Sequence, residues 1–205
     1  TPCGTLFPYT TLFRSAQKPD LPGDFLFENA ANVGLVINDL LHQRSVRDHI
    51  RENLKQIYEG IEDITIKVEG GTVQIYLHEQ GLHTPVPATR LSDGTLRFLC
   101  LLCILCHPTP PALVCIEEPE LGLHPDVLPT IADLLVEASQ KTQLIVTTHS
   151  DILVSALTET PEAILVCERT QRGTEMQRLD GGQLREWLEK YRLGDLWLTG
   201  EIGGT

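Results

Sequence analysis

The stretch "ALVCIEEPELGLHPD", residues 112–126, carries an apolar run that stops at two adjacent carboxylates, Glu117 and Glu118. Pro119, Glu120 and a Gly-Leu-His-Pro turn at 122–125 follow. A short continuous apolar run closed by turn residues reads as a strand buried on both faces of a parallel sheet. The next segment, "PDVLPTIADLLVEASQK", opens on a proline suited to a first helical position. It places Val127, Leu128, Ile131, Leu134 and Leu135 on one face. "QLIVTT" then reads as a second buried strand, which runs into His149. About 30 residues separate Glu118 from His149, enough for the helical crossover that neighbouring parallel strands need. Ligands of open α/β sheets bind beyond the carboxyl ends of the strands, so both chemistries are expected on one rim. A glutamate pair alone at a strand end is more often solvated or capping. A histidine ending the next strand tips the reading toward function.

Upstream, "RLSDGTLRFL" (90–99) places Ser92 and Gly94 where the helix "SDGTLRFLCLLCILC" begins, and Pro108, Pro110 and Pro111 end it. Unpaired N–H groups and the positive helix end suit an anion there, and glycine lets the main chain approach it closely. Taken alone, Ser-Asp-Gly is an ordinary helix cap. Further upstream, Val33, Val36, Ile37, Leu40 and Leu41 recur at helical spacing, as do Val46, Ile50, Leu54, Ile57 and Tyr58. "ITIKVEG" and "TVQIYLHE" alternate around Gly70 and Gly71 as a hairpin, and 82–89 is a third strand or a loop. Downstream come a short helix capped by Ser150, a third strand "AILVCE", a turn at Arg172 and Gly173 into "TEMQRLD", and a final amphipathic helix "GQLREWLEKYR".

The chain of 205 residues has 41% hydrophobic and 21% charged residues, ordinary for a globular domain. A net charge of −12 argues against a broad basic surface that grips nucleic acid by charge alone. The apolar run at 98–106 is too short for a membrane span. No targeting sequence is apparent and the six cysteines lie mostly in apolar settings, which points to the cytoplasm.

The order of these motifs resembles the C-terminal half of an ABC-type ATPase of the RecF-like and SMC-like branch, which includes bacterial AAA-family ATPases. The likeness rests on residues 90 to about 157. The implied fold class is α/β, a partial P-loop NTPase lobe with parallel core strands flanked by helices. By this resemblance Leu91, Ser92, Asp93, Gly94 and Thr95 match the signature motif, in which Ser92 and Gly94 contact the γ-phosphate held by a partner subunit. Glu117 falls on the Walker B acid that positions Mg²⁺, usually through water. Glu118 falls on the base that activates the attacking water, Gly122 to Pro125 on the D-loop, and His149 on the histidine that senses the γ-phosphate. The implied cofactors are ATP and Mg²⁺. The implied partners are a second copy in a homodimer around sandwiched ATP, and nucleic acid or a separate effector protein, with no membrane. Two departures stand out. Glu117 occupies a position that is Asp in most ABC enzymes, and Asp93 and Thr95 replace the Gly and Gln of the transporter motif, which argues against a transporter subunit.

A P-loop needs Gly-x-x-x-x-Gly-Lys-Ser/Thr, yet none of the five lysines, Lys18, Lys55, Lys67, Lys141 and Lys190, follows a glycine. Residues 1–15, "TPCGTLFPYTTLFRS", resemble translated adapter sequence. The expectation is a truncated ATPase lacking Walker A and its strand, weak in ATP binding and inactive alone. Its organisation reads as a non-native leader at 1–15, a linker and helical segment at 16–60, and the ATPase lobe at 61–205. A non-catalytic interaction module with the ATPase shape is the alternative, and a transporter ATPase the third reading. Cys100, Cys103 and Cys106 have iron–sulfur-like spacing but lie in an apolar helix and read as core. "HEQGLH" (78–83) has one residue too many for a zinc-protease motif, and Gly81 would break its helix.

Overall fold

The computed structural model describes residues 17, 19–56, 60–69 and 71–203. Ile57, Tyr58, Gly70 and the 1–15 opening lie outside the described residues. The chain divides into two compact units, Thr1–Thr147 and Thr148–Thr205.

In the first unit, α1 (Val33–His42) and α2 (Arg44–Leu54) follow a linker pinned by one buried side chain. The Asn32 amide donates to the carbonyls of Pro22 and Phe25 at 2.7 and 2.8 Å, and its oxygen accepts from Phe27 N–H at 2.9 Å. Three of the amide's four hydrogen-bonding arms therefore fix the chain's path into α1. α1 buries Val33, Val36, Ile37 and Leu40, the helical stripe read from the sequence. β1 (Ile61–Glu69) and β2 (Thr72–Glu79) form the expected antiparallel hairpin. β3 (Val86–Pro87) adds only two residues, because Pro85 and Pro87 lack ladder donors. Gln17 bridges to Val73 of β2 in both directions, N–H to carbonyl at 3.1 and 2.9 Å. A forked contact ties α2 to this sheet: Arg51 Nε and Nη2 donate to the two Asp63 oxygens at 2.7 and 2.8 Å. Such bidentate pairs fix orientation as well as adding energy.

Helix α3 (Asp93–Leu105) is the centre of this unit. All eight residues from Phe98 to Leu105 are buried, as a helix apolar on every side must be, and its neighbours are α1, α2 and α4 (Leu128–Ser139). The three cysteines of the iron–sulfur-like spacing are packed inside it. Burial, the larger cause, and neighbouring Cys103 push the Cys100 thiol well up. Burial and then Cys106 do the same to Cys103. Cys106 is pushed up to about 12, chiefly by burial and then by Glu137. The thiolate is the nucleophile, so these three are expected to resist alkylation in the folded chain while exposed Cys167 reacts. Peptide mapping after a short iodoacetamide pulse checks this; modification of Cys100 or Cys103 without denaturant would contradict it.

β4 (Leu113–Glu117) and β5 (Gln143–Thr147) pair in parallel, with Glu117 opposite Thr147 at the strand ends. α4 makes the crossover between them. It begins three residues later than the sequence suggested, because Pro125, Asp126 and Val127 form a 3₁₀ turn first. The expectation of strands buried on both faces is corrected. Val114 and Ile116 are buried, but Leu113 and Ile145 on the other face are 47% and 50% exposed. Among the described residues these two strands pair only with each other.

In the second unit, α5 (Asp151–Ala156) starts at Ser150, whose Oγ accepts from Leu153 N–H at 3.3 Å. β6 (Leu165–Thr170) and β7 (Gly173–Arg178) form an antiparallel hairpin whose turn is Gln171 and Arg172, one residue ahead of the expected pair. β6 is the third strand read at "AILVCE", beginning two residues later, and among the described residues it pairs with β7 alone. It continues through the polar residues to Thr170 and folds back on the sequence that follows it. α6 (Gly181–Leu188) is the final helix read from the sequence, ending four residues early, and a further helix, α7 (Leu193–Leu198), follows it. α7 starts where Arg192 N–H donates to the Asp195 carboxylate at 3.0 Å, a helix cap. Val154, Leu179, Leu193 and Leu196 form this unit's core, with Trp197 against it, while Trp187 stays 44% exposed beside Tyr191.

Candidate functional site

β4 delivers its two carboxylates differently. Glu117 is the last strand residue and its side chain is exposed on the open face of the sheet. Glu118 continues the ladder for one bond, its N–H donating to Thr147 O at 2.9 Å. Its φ is +44°, a left-handed conformation that a side chain with a Cβ adopts at a cost of about 1–3 kcal/mol. This twist ends the strand at Glu118 and leaves the half-buried side chain at its tip. The chain then turns sharply: Leu121 N–H donates to Glu118 O at 3.0 Å, and Leu123 N–H to Glu120 O at 3.0 Å. The motif Glu-Glu-Pro-Glu thus makes a strand end, an unusual backbone corner and a tight turn in succession.

The first turn of α3 stands against that turn. Ser92 caps the helix: its Oγ accepts from Thr95 N–H at 3.1 Å and lies 2.8 Å from the Thr95 hydroxyl. Leu91 is buried behind the cap, whereas Ser92 and Asp93 are exposed. A helix start leaves main-chain N–H groups without intrahelical partners, and Asp93 sits where a negative charge is favoured. Gly94 allows the approach. A Cβ built there would lie 2.9 Å from Gly122 O, closer than real Cβ contacts come. Arg97, one turn further along, donates from Nη1 to Leu121 O at 3.1 Å. Residues 92–97 and 117–122, far apart in sequence, therefore form one constellation in the first unit.

Gly94→Ala is expected to lower stability by about 1 kcal/mol. Overpacking against Gly122 O costs about 1–3 kcal/mol, and the better helix propensity of alanine offsets up to about 1 of it. A urea midpoint equal to or above that of the parent would show that the contact relaxes freely.

His149 belongs to the second unit, exposed just ahead of the Ser150 cap, where Ser150 N–H donates to Thr148 Oγ1 at 3.0 Å. His124 is exposed in the turn, its Nδ1 accepting from Asp126 N–H at 3.3 Å. Arg97 was not singled out from the sequence. Its spacing of three residues from Gly94 put it on the same helix face and was the available signal. Nothing in the sequence announced the positive φ of Glu118.

Among the described residues, no group of three or more His, Cys, Asp or Glu could cage a metal ion. The donor set is Glu117 with Glu118 beside it. Carboxylate oxygen suits a hard cation such as Mg²⁺, which characteristically takes one or two carboxylates and completes its shell with water and phosphate. The residues fit Mg²⁺ in that mode. They do not by themselves supply the Gly-Lys phosphate grip that accompanies it in P-loop enzymes.

No curated protein matches the chain. Solved structures do. One, from work on ATP-driven dimerization and DNA-stimulated activation of SMC ATPases, shares 16% identity with a TM-score of 0.53. It covers 76% of this chain and 98% of its own. The Smc head domain with an extended coiled coil bound to the C-terminal domain of ScpA, from Pyrococcus furiosus, shares 15% identity with a TM-score of 0.56. The match covers 80% of this chain and 41% of that one. An Smc head bound to the C-terminal winged-helix domain of ScpA shares 14% identity, with a TM-score of 0.57 and coverage of 80% and 57%. This chain thus spans less than two thirds of the latter two. At these identities the likeness establishes the fold, that of the SMC head ATPase. The family described as "AAA domain, putative AbiEii toxin, Type IV TA system" matches residues 10–155. The chain belongs to this AAA-domain family, with the α/β fold of SMC-like ATPase heads.

Proposed function

We propose that the chain supplies one half of a composite Mg-ATP site in a cytoplasmic, SMC-like ATPase that works as a head-to-tail dimer. The observation that carries this reading is the meeting of Gly94 with Gly122 O. It sets the capped start of α3 beside the turn that Glu117 and Glu118 open. In the proposed site Glu117 would hold Mg²⁺ through water, and Mg²⁺ would supply charge compensation on the phosphates. Glu118 accepts a proton from the attacking water. The α3 start, with Ser92 and Gly94, presents N–H groups and a hydroxyl to the γ-phosphate of a nucleotide seated on the partner copy, flanked by Leu91, Asp93 and Thr95. His149, in the second unit, is proposed as the histidine that senses a γ-phosphate, and residues 122–125 as the segment that crosses the dimer interface.

Phosphoryl transfer relies on positioning and electrostatics, so a set of two carboxylates and a helix start suits it without a covalent nucleophile. No Gly-x-x-x-x-Gly-Lys-Ser/Thr exists in these 205 residues. The chain alone is therefore proposed to bind ATP weakly and to turn it over poorly or not at all. Dimer closing and opening would drive a DNA transaction or a defence response through a separate effector. The net charge of −12 means that any DNA contact would rest on a local patch.

Equilibrium dialysis of ATP against the chain, with and without Mg²⁺, tests the binding half of this reading. Weak, Mg²⁺-dependent binding that weakens further in Glu117→Ala supports it. Binding that ignores both Mg²⁺ and Glu117 would leave an interaction module with the ATPase shape as the better description.

A further inference from the structure

We infer that Arg97 is the positioning residue that locks the Glu118 turn to the start of α3, so that the carboxylate's place depends on what the α3 start holds. The inference deepens the proposed Mg-ATP site, on which its nucleotide-dependent half rests.

The geometry is a short relay. The Leu121 peptide is held at both ends: its N–H donates to Glu118 O at 3.0 Å, and its carbonyl accepts from Arg97 Nη1 at 3.1 Å. Arg97 also flanks the next residue. A Cβ on Gly122 would lie 3.4 Å from Arg97 Nε, and Gly122 has φ +74°. On the other side of the same segment, Gly122 O lies against Gly94. Residues 121 and 122 are therefore clasped by two points on one rigid helix, one turn apart. The near wall of that clasp is the Ser92 cap.

The Glu118 backbone is the strained element in this relay. A left-handed φ on a non-glycine residue persists only where its surroundings over-determine it. Its N–H is tied to Thr147 O and its carbonyl to Leu121. The first tie belongs to the sheet, whereas the second continues through Arg97 to α3. A guanidinium gives a planar, directional donor to a carbonyl, which an ammonium replaces only in part. An anion that shifts or stiffens the α3 start would move the Arg97 end of the clasp and, through Leu121, the residue carrying the base.

Hydrogen exchange on the full chain tests this, read at the Leu121 and Leu123 amides, with interior amides of α3 and α4 as the folding control. Without nucleotide, Arg97→Gln is expected to speed exchange at Leu121 and Leu123 by about 10-fold or more, and Arg97→Lys to restore part of the protection, with the control amides unchanged. Equal exchange in all three proteins would overturn the inference. If Arg97→Gln fails the folding control, the comparison of Arg97→Lys with the parent decides, on the same criterion of faster exchange confined to the turn. Millimolar Mg-ATP forms the second arm. Slowing of Leu121 in the parent but not in Arg97→Gln supports the relay, and equal slowing in both overturns it while leaving nucleotide binding intact. No slowing in either, with the nucleotide-free difference present, removes the nucleotide reading and the dependence on it, and retains Arg97 as the lock of the turn.

Discussion

Glu118→Gln is expected to abolish ATP turnover while leaving Mg-ATP binding in place, in an enzyme where a P-loop-bearing polypeptide completes the site. Removing a general base typically costs about 10²–10⁴-fold in rate. Glutamine keeps the size of the side chain and loses its proton-accepting oxygen. The substitution also leaves the backbone ties of residue 118 intact, because both run through main-chain atoms, to Thr147 O and Leu121 N–H. The left-handed φ of +44° is no harder for glutamine than for glutamate. A loss of turnover with unchanged binding would therefore report the carboxylate and not a collapsed turn. Single-turnover hydrolysis alongside nucleotide binding separates the two, and near-normal hydrolysis by the variant would take Glu118 out of the role of base.

Phe98→Ala should cost about 3–5 kcal/mol of stability, the range for truncating a buried aromatic side chain. Phe98 is 1% exposed on α3, within the run of buried residues from 98 to 105. Total stabilities of about 5–15 kcal/mol make this a large fraction of what holds a domain folded. The effect reaches the site because α3 is both the core helix and the carrier of Ser92, Gly94 and Arg97. Urea unfolding measures it as a lower midpoint at similar slope. A shift worth under about 1 kcal/mol would mean that the core around α3 refills the space, and that the helix is less constrained than its burial implies.

The sequence made the candidate site legible because its chemistry sits at the ends of elements. "LVCIEE" and "SDGTLRFL" each combine a clear periodic pattern with a change of residue type where the element stops, and both boundaries lie where the pattern put them. Ser92 and Ser150 were legible as caps for the same reason. What escaped depends on tertiary approach. The contact of Gly94 with Gly122 O joins segments with no local relation, and the Arg97 bond to Leu121 is invisible until the turn is placed. Burial was overestimated for Leu113 and Ile145, because an apolar strand looks the same whether one face is covered or two. The extent of β6 escaped likewise: the sequence marked a strand at 163–168, whereas the ladder with β7 carries it through polar residues to Thr170. The short α7 lies beyond the final helix read at 182–192; its six residues are too few to show a helical period, and the Arg192 and Asp195 cap marks its start.

Paramagnetic broadening by Mn²⁺ with ATP, on the isotope-labelled full chain, tests the central claim most directly. Mn²⁺ is, like Mg²⁺, a hard cation suited to carboxylate, water and phosphate oxygen. The account predicts that low Mn²⁺ with excess ATP selectively broadens the amides of Glu117, Glu118 and Thr147, and that Glu117→Ala removes the effect. Broadening centred on other residues, or the same pattern in Glu117→Ala, would contradict a metal–nucleotide site at the tip of β4.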